Sequence, residues 1–180
     1  MRLGPHAYTT VIGILAAVLL LTACGPEEEE TDPGALPEPV AKDLAERTRA
    51  EQEKWREPSA EHAGKTAAYL ASTKGRLLTD FAARSKRLED DITPSEVTDG
   101  CRRLVDAWQR EVPGDQLQDR LGNVGDAPLV NTTTEQLSSV LGAFDHCGNG
   151  DLKKARHSAR VASAWSDMFQ RRVAQLEVKP

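Results

Sequence analysis

The side chains able to do chemistry in this 180-residue chain are few: three cysteines, four histidines and three tryptophans. His62, His146 and His157 each stand among charged or polar neighbours, the setting of a surface residue rather than of a general base. There is no Gly-x-Ser-x-Gly elbow and no His-Glu-x-x-His pair, so no known nucleophile or zinc-hydrolase arrangement is spelled out. The chain is therefore read as a non-enzyme. Gly64-Lys65-Thr66 ends like a phosphate-binding loop, but Ser59 stands where the leading glycine belongs and the stretch has a helical pattern, so the loop the motif needs is missing. A calcium loop starting at Asp145 fails because Cys147 takes its third position and Arg156 its twelfth, where a bidentate acid is required. Asp90-Asp91 lies near a helix end and reads as solvated loop. Asn131-Thr132-Thr133 spells a glycosylation acceptor but is more simply a helix cap. Trp108 and Trp165 sit at helical spacing among apolar residues and read as core. Trp55 differs, because its own helix has a poor apolar stripe, and a tryptophan so placed suits contact with a partner.

The remaining chemistry belongs to cysteine. Leu21-Thr22-Ala23-Cys24 follows an apolar run over residues 11–21 and precedes a polar, acidic, proline-rich stretch. An aliphatic residue, two small residues and a cysteine after such a run resembles the lipobox of bacterial lipoproteins. The run is too short to cross about 30 Å of hydrocarbon as a helix but matches a secretory apolar region. The resemblance implies that the Cys24 thiol is alkylated by a diacylglyceryl group and that the chain is cut before it. Residues 1–23 would then be a signal peptide, and Cys24 would hold the mature chain on the extracytoplasmic face of the cell membrane. Two acyl chains plus an amino-terminal modification give stable anchoring where one chain does not. Arg2 is the only strong base of the leader, a departure from the usual basic start, and there is no twin-arginine pair, which points to general secretion. The resemblance covers residues 1–24 alone.

With Cys24 given to lipid, Cys101 and Cys147 remain. In an exported chain an even pair reads as one disulfide. It closes a loop of 46 residues, for which chain entropy predicts about 4 kcal/mol. The competing use is a transition-metal site from Cys101, His146 and Cys147, with His157. Adjacent residues 146 and 147 ligate one ion poorly, and the compartment favours the disulfide. No cofactor is expected.

Removing residues 1–23 leaves 157 residues, enough for one domain with a core. Aromatic residues are 4% of the chain, so that core must be aliphatic and alanine-rich. A net charge of −5 argues against nucleic acid or anionic lipid as a partner. The charge is uneven: residues 27–57 carry 11 acids and 5 bases, and residues 151–180 carry 7 bases and 3 acids. Solvated helix faces explain this most simply.

The elements that must position these residues are helical. Residues 24–39, with four prolines and six acids, form a solvated tether. Residues 40–180 form the helical domain. A first helix over 40–57 has a thin stripe of Val40, Ala41, Leu44, Ala45, Thr48 and Trp55, interrupted by Glu51. A long second helix over 59–91 carries Ala63, Ala67, Leu70, Leu77, Phe81 and Leu88 in steps of mostly four and three, with Ser59 as its cap. Thr93-Pro94-Ser95-Glu96 has the residues of a capping box before a third helix running to Val112. A short turn over 115–121 and a connector over 122–131 follow. Thr132 or Thr133 then caps a helix with Leu137, Val140, Leu141 and Phe144 inward. The last helix runs over 151–178 on Ala155, Ala159, Ala162, Trp165, Phe169 and Leu176, with a basic outer face. No alternating pattern suggests a sheet. The expected fold is all-α, a bundle of four main helices plus a first helix or short extra turn, closed by one disulfide. The expected role is a lipid-anchored envelope module that binds an envelope protein or wall component, or alternatively a small molecule or metal.

Overall fold

Apolar residues in steps of three and four can bury themselves only by packing helix on helix, and an all-α bundle is what forms. The computed structural model describes residues 35–92 and 97–177, which contain eight helices and no strand. The expected signal peptide, the Leu21–Cys24 lipobox, most of the tether and the Thr93–Glu96 cap lie outside the described residues.

The first helix, α1, spans Glu38–Lys54, two residues earlier than expected at its start and three at its end. Pro39 in the first turn has a φ already suited to a helix. At the other end Pro58 disfavours helical geometry in the residue before it, and Trp55 is already extended. Glu51, expected to interrupt the apolar stripe, is only 8% exposed. Its carboxylate accepts from Asn131 at 3.2 Å and Lys54 at 3.3 Å.

The expected second helix is divided in three: α2 (Ala60–Ala71), α3 (Arg76–Ser85) and α4 (Leu88–Asp91). Ser59 caps α2 as expected, accepting from the His62 N–H at 3.2 Å. The break falls at residues 72–75. There the Ser72 hydroxyl accepts from the Gly75 N–H, and a Cβ on Gly75 would meet the Leu70 Cα at 2.7 Å. Only glycine allows so close a return of the chain. The break also re-phases the stripe, so that Leu78 is fully buried while Leu77 is only partly so.

Three helices follow the expected order: α5 (Val97–Glu111), α6 (Gly114–Leu121) and α7 (Ala127–Gly148). The start of α7 corrects the expectation of a threonine cap. Asp126 is the cap, accepting from the Leu129 N–H at 3.0 Å, and Pro128 sits in the first turn. Thr132 and Thr133 are buried inside the helix and donate back to the Pro128 and Leu129 carbonyls, a common way for a threonine to satisfy its hydroxyl within a helix. Of the expected inner face, Val140 is buried and Leu137 and Phe144 pack against the core, but Leu141 does not. Leu141 is 57% exposed, and the buried face runs through Leu129, Thr132, Thr133, Gln136, Val140, Ala143 and Cys147. Its small and polar residues hid it from a hydrophobicity pattern.

The final helix, α8, spans Leu152–Glu177, and Gly150 (φ +80°) makes the tight return from α7. Ala143, Ala155, Ala159 and Ala162 are completely buried, so the two helices approach closely near the turn. Cys101 pairs with Cys147, with Cα atoms 5.6 Å apart. Trp108 meets Phe144 with ring centroids 5.4 Å apart. The numbers rise along α5 as they fall along α7, so the two are antiparallel. Phe81 stands edge-on to Trp108 at 6.1 Å and joins α3 to the same core. A second, smaller cluster of Leu44, Trp165 and Met168 seats α1 on α8. Among the described residues no helix is long and apolar enough to cross a membrane.

Candidate functional site

Trp55, singled out because its helix had little else to bury, stands at the edge of a cleft of about 570 Å³. The cleft lies where the extended linker after α1 passes the last turns of α8. Gln52 and Trp55 border it on one side, Arg56, Glu57 and Pro58 along the linker, and Ala174 and Gln175 on α8.

What holds this edge in place is a buried ion pair. Arg172 on α8 is 3% exposed and Asp126, the α7 cap, is 1% exposed. The guanidinium donates through Nε to Oδ1 at 3.1 Å and through Nη2 to Oδ2 at 2.7 Å, the two-pronged geometry that arginine offers a carboxylate. Its Nη1 donates to the Arg56 carbonyl at 3.1 Å and to Gln175 Oε1 at 3.0 Å. The same guanidinium lies 5.8 Å from the centre of the Trp55 ring, within reach of a cation–π attraction. One arginine thus fixes the linker backbone, the indole and the Gln175 amide together.

Asp126 also takes a hydrogen bond from His62 Nε2 at 3.0 Å. Burial pushes its carboxyl up. The hydrogen bonds from Arg172, His62 and the Leu129 N–H outweigh that and hold it below the usual carboxylate value. It is therefore a permanent anion at neutral pH.

A second recess of about 380 Å³ lies between α1, α7 and α8, beside Trp165. Its charges satisfy one another: Arg47 bonds Glu135, Lys54 and Asn131 bond Glu51, and Arg47 sits 5.8 Å over the Trp165 ring. It is the polar seam of α1.

Of the residues expected from the sequence, the structure joins Cys101 to Cys147 and buries Trp108 and Trp165. His62 was read as a surface residue, and its side chain is 38% exposed yet bonded to Asp126. His146 and His157 are partly exposed. Burial, with Arg160 and Lys153 near, lowers the pKa of His157. Gly64-Lys65-Thr66 lies inside α2, where Lys65 bonds Glu61 at 2.6 Å. Asp145 sits in the last turn of α7. Thr132 and Thr133 of the sequon are fully buried. The disulfide takes both thiolates of the considered metal site, and among the described residues no three His, Cys, Asp or Glu side chains gather to hold a metal.

Asp126 and Arg172 were not foreseen. Arg172 belonged to what read as the basic outer face of the last helix. The available signal was Asp126-Ala127-Pro128, a cap residue followed by proline in the first turn. No protein-family model, curated protein or solved structure matches the chain.

Proposed function

We propose that the chain is a lipid-anchored module of the extracytoplasmic face that binds an envelope partner through the Trp55 cleft, without catalysis. The observation that carries this reading is the placement of Trp55. A large aromatic residue stands partly exposed beside an open cleft, and a buried ion pair is spent on holding it and its linker there. Interface hot spots combine such features: a rigid aromatic anchor at a concave edge. The anchor rests on the lipobox resemblance at Leu21-Thr22-Ala23-Cys24, and the acidic tether of residues 24–37 would let the domain stand clear of the lipid.

The test is chemical crosslinking on intact producing cells, with mass spectrometry of captured full-length protein and of its Trp55→Ala variant. A recurrent partner whose crosslinks cluster on the linker and α8, and which is lost in the variant, is the expected result. Capture unchanged by Trp55→Ala would remove the cleft from the reading. A Cys24→Ser variant that stays in the membrane fraction would remove the anchor.

The second reading is a small-molecule site. It is favoured by the size of the cleft, which lies within the roughly 300–1,000 Å³ typical of such sites.

A further inference from the structure

We infer that the Trp55 cleft takes a neutral pyranose ring of a glycan. This rests on the reading of the cleft as a binding site and specifies its ligand. A sugar ring has an apolar C–H face and an edge of hydroxyls that both donate and accept. Its match is one flat aromatic surface bordered by planar polar groups of both kinds.

The cleft has that composition. Trp55 supplies the aromatic surface. The buried Arg172 guanidinium is 5.8 Å from the ring centre, and the indole is partly exposed where it lines the cleft. The orientation of Gln175 is set: its Oε1 accepts from Arg172, which leaves its NH₂ as the donor for a ligand. Gln52 brings a second amide, which both donates and accepts, and Arg56 and Glu57 also line the cleft.

Charge decides between ligand classes. Arg172 is neutralised by Asp126, and Arg56 and Glu57 carry opposite signs. Among the described residues the charges lining the cleft balance, and a neutral polyol fits it. A proline-rich peptide is the main rival for an exposed tryptophan. Its readers use grooves lined by several aromatic residues, and among the described residues Trp55 is the one aromatic side chain lining the cleft. Like those of Trp108 and Trp165, the Trp55 indole N–H is covered and has no acceptor among the described residues.

The chain has three tryptophans, so full-length protein labelled with ¹⁵N-tryptophan gives three indole N–H signals. It is to be kept in a detergent without a sugar headgroup. Trp55→Phe identifies the Trp55 signal. Chitotriose and mannotriose are then titrated, with a proline-rich peptide as the rival probe. The expected result is a saturable downfield shift of the Trp55 signal with at least one oligosaccharide, while the Trp108 and Trp165 signals stay in place. Gln175→Ala should weaken this binding by about tenfold, the loss of about one hydrogen bond. Isolated wall polysaccharide and vesicles of phosphatidylcholine carrying a glycolipid then distinguish the source of the sugar. No shift at millimolar oligosaccharide, a shift only with the peptide, or binding unchanged in Trp55→Ala would each overturn the inference. If the cellular crosslinks still depend on Trp55 when oligosaccharides fail, only the sugar falls. If both fail, the binding reading falls with it.

Discussion

The α7–α8 hairpin and the α1 seat are built on different terms. The hairpin buries an unbroken face of alanine, threonine and aromatic side chains along most of two long helices, and the disulfide ties its α7 end to α5. Of the 17 residues of α1, only Leu44 and Glu51 are buried. Its polar attachments are Arg47 to Glu135 and Asn131 to Glu51. An exposed ion pair such as Arg47–Glu135 contributes about 0–1 kcal/mol, whereas the hairpin rests on burial that scales with area. The cleft lies at the junction of the two regions. Its rigid side belongs to the hairpin through Arg172, and its other side is the end of the loosely seated helix. A binding edge placed there has one fixed wall and one that can adjust.

The largest loss is expected at Asp126. Asp126→Ala leaves Arg172 buried without its counter-charge and removes the α7 cap, so a loss of about 3–5 kcal/mol is expected, read from urea unfolding. The same carboxyl sets the response to acid. Its folded pKa is depressed, so its contribution is complete above the ordinary carboxylate value of about 3.9 and is lost as pH falls through the folded value. Unfolding midpoints taken from about pH 7 to about pH 2 should therefore fall more steeply at the acid end for the native protein than for the variant. Equal slopes would show that the pair does not bind the cleft to the core.

Next in size is the staple. Cys101→Ser with Cys147→Ser, or reduction, should cost about 4 kcal/mol by the loop-entropy estimate, again read from urea midpoints. A loss smaller than that of an α1 variant would invert the comparison. The smallest effect belongs to α1 itself. Leu44→Ala should cost about 2 kcal/mol, the low end for such a truncation, because its cluster contains only two other buried side chains. Amide hydrogen exchange should quicken across α1 and stay slow in the hairpin. Faster exchange throughout would show that α1 is part of one cooperative unit.

The helical class, the disulfide and the unusual standing of Trp55 were legible because each depends on local spacing or on residue count. The break at residues 72–75 was not. The apolar steps pass through it nearly in phase, and the reason for it is a close approach of Gly75 to the preceding turn that no periodicity records. The inner face of α7 was legible only at Leu137, Val140 and Phe144, because Thr132, Thr133 and Gln136 are polar residues in buried positions. The threonines are satisfied by carbonyls of their own helix, a pairing the sequence does not display. The Asp126–Arg172 pair spans 46 positions and is created by the return of α8 along α7. An arginine on a basic face reads as solvated until its partner is known.

The seating of α1 has a mechanical consequence. Tension applied to the chain ahead of Glu38 enters the molecule through this helix, and its small apolar seat lies first on the load path. Unravelling α1 would lengthen its 17 residues from about 25 Å to about 60 Å. Further along, the covalent bridge between Cys101 and Cys147 withholds 46 residues of contour, roughly 150 Å. Under load the chain would yield by one helix and then stiffen, a fuse in series with a fixed link.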